Sequence, residues 1–337
     1  MLNAALVALS AAPASWTLVA GGDIMYYGIS PKTASLKAVA PTFRAADVAY
    51  ANLEIPLTTA KKPTPFKSAA EIKARNQFVL KADPGHLSQL TSCGFDLLSL
   101  ANNHGMDYGW PGLKQTMGLL DKAKIAYSGG GENTEQAEAV AVTTLPSGFR
   151  VGMISALAFV GSGALQKCGP ATAKSPGIAV FRFEGALTKD AKRELKRRIG
   201  TAKRACDFLI VAPHWGIERE SRPRLWQMQL GRALIDSGAD AVLGAHPHVL
   251  QGREIYKGRP ILYSMGNLIS PLPAATAIYT LKFQGTKMVD WDLRPMRNRG
   301  GKAEWYPAKA EPVVKAQILK LDALIPKPRP LAKPKSR

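Results

Sequence analysis

The sequence predicts an α/β protein built as one domain, with its strands in two stacked sheets. Three observations carry this. Apolar runs of strand length alternate with segments of helical spacing through most of the chain, as parallel strands covered by helices do. Two further pairs of apolar runs flank tight turns, Pro146-Ser147-Gly148 and Lys257-Gly258-Arg259, and so add antiparallel strands. No internal repeat or linker divides the 337 residues, of which 46% are hydrophobic, enough for a sizeable core.

Residues 1–15 hold a short apolar core and then small residues, with Ala12-Pro13-Ala14 matching a small-x-small cleavage site. They predict a signal peptide and export to the periplasm or cell surface, although no basic residues precede the apolar core. Trp16 to Ala20 reads as the first strand, closed by Gly21-Gly22-Asp23. Helical spacing from Pro31 to Ala45 leads to a second strand, Val48 to Glu54. Thr58 to Asn76, rich in Lys, Pro and Thr, reads as a long exposed loop. A short helix from Gly85 to Cys93 precedes the third strand, Phe95 to Leu100, and then Ala101-Asn102-Asn103-His104-Gly105-Met106-Asp107. Leu113, Met117 and Leu120 space a helix over 113–124.

The hairpin at 139–156 follows, then a second long loop at 157–176. Thr188 to Lys203 is a basic helix whose Lys192, Arg193, Lys196, Arg197, Lys203 and Arg204 mostly form a wet face. Asp207 to Ala212 is a strand ending in Pro213-His214-Trp215-Gly216. The helix Leu225 to Ser237 leads to Ala241-Val242-Leu243, a buried parallel strand that ends in Gly244-Ala245-His246-Pro247-His248. The hairpin around Gly258, a strand pair at 278–283 and 288–293, and a weak helix from Val313 to Leu324 complete the chain before a Pro/Lys-rich tail. The main domain is expected over 16–300, with a C-terminal extension over 301–337.

The formal charge of +20 and pI near 9.9 imply attraction to a polyanion or an acidic surface. The basic residues lack interleaved aromatics or a recognised module, so nucleic acid is not the expected partner. Three cysteines, an odd number without metal-ligand spacing, imply no disulfide framework. Cys93 and Cys206 read as buried thiols, and Cys168, in a Gly-rich loop, as the exposed one. After the leader, no run reaches the roughly 18 apolar residues of a membrane helix.

Five expected strands end in Asp23, in Asn52 with Glu54, in Asn103 with His104, in His214, and in His246 with His248. Four of the five histidines are in this set; the fifth, His86, is assigned to the surface. Any one of these groups suits a cap or turn role, but five strand ends carrying such groups point to one site outside the carboxyl ends of the strands. Carboxylate, amide and imidazole without thiolate suit Mn, Fe or Zn, and the number of groups suits one or two ions. Arg219, Arg222 and Arg224 after His214 read as a solvated basic loop, with anion binding as the alternative.

The segments Gly22-Asp23, Asn52-Leu53-Glu54-x-Pro56-Leu57-Thr58, Leu100-Ala101-Asn102-Asn103-His104-x-x-Asp107-Tyr108-Gly109, His214-Trp215-Gly216, Asp236-x-Gly238-Ala239-Asp240, His246-Pro247-His248-Val249-Leu250-Gln251-Gly252 and Tyr263-Ser264-x-Gly266-Asn267 together resemble the CapA family of poly-gamma-glutamate capsule proteins. The resemblance runs from about Thr17 to Leu268. It implies a calcineurin-like metallophosphoesterase fold, two stacked mixed sheets flanked by helices, with a dimetal site at the strand ends. It implies Asp23 as a first metal ligand, Glu54 at a bridging position, Asn103 as a ligand of the second metal, and His214, His246 and His248 as the remaining ligands. His104 resembles the acid that protonates a leaving group, with Asp107 to orient its ring. Asn52, Arg219 and Asn267 are the substrate-binding candidates. Two departures stand out: the family's Asp-x-His is here Asp23-Ile24-Met25, and the bridging Asp is a longer Glu. The resemblance implies a metal-dependent hydrolase or transferase acting on an anionic polymer or small anion, with membrane-bound capsule synthesis proteins as partners. A non-catalytic assembly protein that binds polymer at the metal pocket is the alternative.

Overall fold

Strand β1 (Ser15–Ile24) runs through the middle of the larger sheet, and its alternating side chains face two different cores. Trp16, Leu18 and Ala20 point toward the second sheet, whereas Val19 points toward covering helices, as the two-residue period of a strand requires. The computed structural model describes residues 15–182 and 185–327. The expected leader, apart from Ser15, and the end of the Pro/Lys tail lie outside the described residues.

The larger sheet has eight strands. β1, β2 (Val48–Leu53), β3 (Leu97–Ser99) and β4 (Ala126–Ser128) are parallel. The smallest ladder pairs β5 (Gly130–Gly131) with β8 (Gly177–Ile178). In the second sheet, β7 (Arg150–Ala158), β9 (Phe208–Trp215), β10 (Ala241–Leu243) and β12 (Arg259–Leu262) are parallel, between antiparallel edges β6 (Ala141–Thr144) and β11 (Arg253–Tyr256). The larger sheet is completed by β13 (Asn267–Ile269), parallel to the end of β1, and by the antiparallel run β14 (Ala274–Gln284), β15 (Lys287–Arg299) and β16 (Lys302–Trp305).

The sheets stack face to face. Trp16 is the centre of their contact: its ring stacks on Phe283 at 4.7 Å and meets the edge of Phe208 at 4.9 Å. Helices cover both outer faces. The larger sheet carries α1 (Ala40–Arg44), α3 (Leu87–Cys93) and α4 (Gly109–Ala123), through Phe43, Leu90, Leu113 and Leu120. The second carries α7 (Lys189–Lys203) and α8 (Leu225–Asp236), through Leu195, Ile199, Leu230 and Leu234. Thr188 caps α7 by accepting from Ala191 N, which satisfies one orphan donor of the first turn. Short α2 (Ala69–Lys73), α5 (Thr134–Ala137) and α6 (Ser162–Gln166) lie in the loops, and α9 (Glu311–Leu319) packs against β15.

Several expectations need correction. The helix expected from Pro31 contracts to Ala40–Arg44, with Pro41 in its first turn and turns before it. The loop 58–76 is not uniformly exposed: Thr58, Thr64 and Lys67 are buried, and Ser68 and Glu71 form a capping box for α2. Cys168 is buried, its thiol donating to Ala164 O at 3.4 Å. His86 is fully buried, stacked on Tyr26 at 4.0 Å with Nε2 2.9 Å from Ile29 O. Strand β16 carries the larger sheet to Trp305, past the boundary expected at 300.

Candidate metal centre

Each candidate ligand stands where a parallel strand ends, and two glycines let those ends approach. A Cβ on Gly22 would lie 1.8 Å from Gly266 O, and one on Gly244 2.2 Å from Tyr263 O; neither position admits a side chain. Asp23 N donates to Gly266 O at 2.8 Å, just before β13, and the Asp23 carboxylate accepts from His246 N, so β1 delivers the Asp23 side chain beside the turn that follows β10. In that turn His246 has φ 100° and His248 φ 58°. Such backbone costs about 1–3 kcal/mol per non-glycine residue and gathers at functional sites.

Asp23, Glu54, His214 and His246 are buried. Asp23 Oδ1 accepts from Asn52 Nδ2 at 2.8 Å, and Oδ2 accepts from His246 N at 3.2 Å and lies 3.3 Å from His248 Nδ1. His214 Nε2 lies 2.8 Å from Asn103 Oδ1, 3.1 Å from His246 Nδ1 and 3.7 Å from Glu54 Oε1. Glu54 Oε1 is also 3.4 Å from His248 Nε2. The structure thus brings together all six expected ligands: Asp23, Glu54, Asn103, His214, His246 and His248.

Glu54 provides the test of whether a cation fits. Both its oxygens are buried without a hydrogen-bond donor, a costly arrangement for a carboxylate unless a cation is present. Three donor sets, Glu54/His214/His246, Asp23/Glu54/His248 and Glu218/His246/His248, each hold their ligand atoms within 4.8 Å of one another. Glu54 belongs to two of these sets, as a bridging group would. A divalent transition-metal ion therefore fits the residues present.

The electrostatics agree. Burial, reinforced by the neighbouring imidazoles, holds His214 and His246 well below the ordinary histidine range, leaving them neutral as ligation requires. Burial also pushes the Glu54 carboxyl up. For His248 burial acts downward, but Glu54 and Asp23 outweigh it and raise the ring to about 10.

At the rim, His104 Nδ1 lies 2.6 Å from Asp107 Oδ2, which also accepts from Leu80 N at 2.7 Å. Lys67 pairs with the other oxygen of Asp107 and donates to Phe78 O at 2.8 Å and Asn103 O at 3.0 Å. Burial lowers the His104 pKa, and Asp107 opposes the shift. A cleft of about 360 Å³ opens beside this pair, lined by Arg75, Asn76, His104, Phe159, Glu218 and His246 among others. The Phe159 ring sits 4.7 Å from that of His246.

The substrate-binding candidates fall in three places. The amide of Asn52 is buried between Asp23 and Ser99, whose hydroxyl donates to it at 2.8 Å, so it positions Asp23 and does not face open space. Asn267 Oδ1 lies 2.9 Å from His248 Nδ1, within the cluster. Arg219 is exposed, its backbone N–H tied to Pro247 O at 2.8 Å, and the cleft is lined instead by the preceding Glu218. Sequence reasoning passed over Lys67, Glu218 and Phe159. Glu218 offered one signal, an acid four residues beyond His214, whereas Lys67 sat among other lysines in a segment without pattern.

The family described as "Bacterial capsule synthesis protein PGA_cap" matches residues 17–272. The PGA biosynthesis protein CapA of Bacillus subtilis (strain 168) is 32% identical over 254 residues, 74% of this chain and 61% of that protein. The capsule biosynthesis protein CapA of Bacillus anthracis is 30% identical over 258 residues, 75% of this chain and 59% of that protein. The chain thus spans about three fifths of the length of these relatives. Among solved structures, a novel phosphatase from Mycoplasma pneumoniae superposes with a TM-score of 0.51 at 15% identity, covering 93% of this chain and all of that one. A hypothetical protein from Thermus thermophilus gives 0.50 at 16% identity, covering 84% of this chain and all of that one. The fold is the calcineurin-like metallophosphoesterase fold.

Proposed function

The chain belongs to the bacterial capsule synthesis protein PGA_cap family, and from that premise we propose that it is a metal-dependent hydrolase or transferase. It acts in making or processing an anionic cell-surface polymer such as poly-gamma-glutamate, outside the cytoplasm, beside membrane-bound capsule synthesis proteins. The observation that carries the metal is the pair of buried, donor-free oxygens on Glu54, faced by the imidazoles of His214 and His248. One or two divalent ions, Mn, Fe or Zn, would be held by Asp23, Glu54, Asn103, His214, His246 and His248. A cation there supplies Lewis-acid polarisation of a substrate oxygen.

The protein's own groups do the rest. Asn52 turns the Asp23 carboxylate toward the cluster, and Phe159 screens the His246 ring. His104, next to ligand Asn103, has Nδ1 occupied by Asp107 and keeps its other nitrogen for a departing group. In the step assigned to His104, the doubly protonated ring, its Nδ1–H held by Asp107, gives the proton on Nε2 to that group and is left as the neutral imidazole, with Lys67 holding Asp107 in place. Arg75, Asn76 and Glu218 on the cleft wall meet the remainder of the substrate.

A second reading has a specific observation in its favour. Met25 stands where the phosphoesterase pattern has an imidazole, and it packs against the apolar core. One site then holds its cation more weakly, and the pocket binds polymer carboxylates without cleaving anything. Metal analysis after dialysis against micromolar Mn and Zn, with a screen of phosphoester and glutamyl-amide substrates, separates the readings. Metal near one or two equivalents is expected, and less than about a tenth of an equivalent rejects both. His104→Ala is expected to slow turnover by about 10²- to 10⁴-fold with metal retained. Full polymer output from a His104→Ala strain, with the protein folded and metal-loaded, rejects catalysis and leaves the binding reading.

A further inference from the structure

On the outer face of the second sheet, α7 meets α5 and the segment 171–182 around two cavities, of about 280 and 730 Å³. They share Thr134, Glu138 and Arg198 in their walls, and none of their residues lines the cleft at the metal cluster. Arg198 lies on the buried face of α7 with Leu195, Ile199 and Ala202, at 6% exposure. Its Nη1 donates to Val180 O at 2.6 Å, and its guanidinium lies over the Phe181 ring at 4.5 Å. The other edge of the guanidinium, Nε with Nη2, is buried without an acceptor.

That edge grips carboxylates elsewhere in this protein. Arg197 grips Glu194 through Nε at 2.8 Å and Nη2 at 2.6 Å, and Arg150 grips Asp207 the same way. Parallel donors at this spacing match a carboxylate bidentately. At Arg198 the nearest acid is Glu138, whose oxygen stops 3.4 Å from Nε without a hydrogen bond. The same Glu138 oxygen is 3.8 Å from the exposed Arg197, a partner toward which it can turn. Ile178, Ala179, Phe181 and Leu195 give the smaller cavity an apolar side, and Thr134, Thr172, Arg182 and Glu194 line its polar side.

We propose that this cavity is a second ligand site, for a short aliphatic carboxylate that seats on the Nε/Nη2 edge of Arg198 as Glu138 turns to Arg197. The chain packs against Phe181 and Leu195. The site stands apart from the metal cluster, so it survives failure of the metal reading.

The carboxylate has two sources, a free acid or the pendant carboxylate of an acidic polymer, and glutarate and an oligomer of gamma-linked glutamate distinguish them. Each is titrated calorimetrically into the full chain in the presence of a chelator. Saturable one-to-one binding of at least one probe is expected. Arg198→Lys keeps the charge and removes the bidentate edge, and is expected to weaken binding about tenfold or more. Glu138→Gln removes the competing acid and is expected to tighten it, which keeps the test decisive if Arg198→Lys fails to fold. No saturation by either probe, or unchanged affinity in Glu138→Gln and Arg198→Lys, overturns the proposal and leaves Arg198 and Glu138 as a structural pair.

Discussion

His86 illustrates how one residue's surroundings set its chemistry. Its ring is stacked on Tyr26, and Nδ1 and the Tyr26 hydroxyl are both buried without partners. Burial lowers its pKa, although Ile29 O and Asp83 act the other way. The unfolded chain takes up a proton here as pH falls below about 6.5, and the folded chain does so only at lower pH. The unfolded state therefore binds more protons in that window, so stability is present above it and lost as pH falls through it, by at most about 1.4 kcal/mol per unit. Comparison of melting temperatures at pH 7 and pH 5.5 should show a larger loss for wild type than for His86→Gln, whose amide still donates to Ile29. Equal losses would mean that His86 titrates freely. The sequence showed a helix opening after Pro84-Gly85, and nothing local distinguishes a buried first-turn histidine from an exposed one.

At the scale of elements, the segment from Thr64 to Leu80 behaves as a strap. Its one buried ammonium, Lys67, meets Asp107, Phe78 O and Asn103 O, so all three of its donors are taken. Lys67→Met keeps the length and apolar stem but leaves Asp107 buried without its cation. Breaking a buried pair this way costs about 3–5 kcal/mol. Denaturant unfolding should show a loss of that size, and amide exchange should quicken over 64–80 while β1 and β9 stay protected. A loss below about 1 kcal/mol would refute the strap. Composition marked this stretch as an exposed loop because Lys, Pro and Thr carry no periodicity, and the contact that orders it is made with residues some forty positions away.

For the whole molecule, 45 basic against 25 acidic residues give a surface that attracts polyanions. Among the described residues no helix is long and apolar enough to cross a membrane. If the chain is exported as proposed, native protein should begin near Ala14 or Ser15 when its N terminus is sequenced. A native N terminus at Met1 would reject export. The layered arrangement matters for the site: the parallel strands of both sheets end at one place, so Asp23, Glu54 and Asn103 from one sheet meet His214, His246 and His248 from the other.

The sequence by itself determined the alternation of apolar runs and helical spacing, and with it the two sheets, most strand positions and the polar groups at the strand ends. These are local properties, written in periods of two and 3.6 residues. It also held the motifs that mark the six candidate ligands and the His104–Asp107 pair. Only the tertiary structure decided that Glu54 is left without donors, that Lys67 locks Asp107, that Glu218 and not Arg219 lines the cleft, and that Arg198 alone of its basic helix is turned inward. Each of these depends on which distant groups share a buried volume, and in that low-dielectric space the same side chain is left without donors, locked to a distant acid or turned to solvent according to its neighbours.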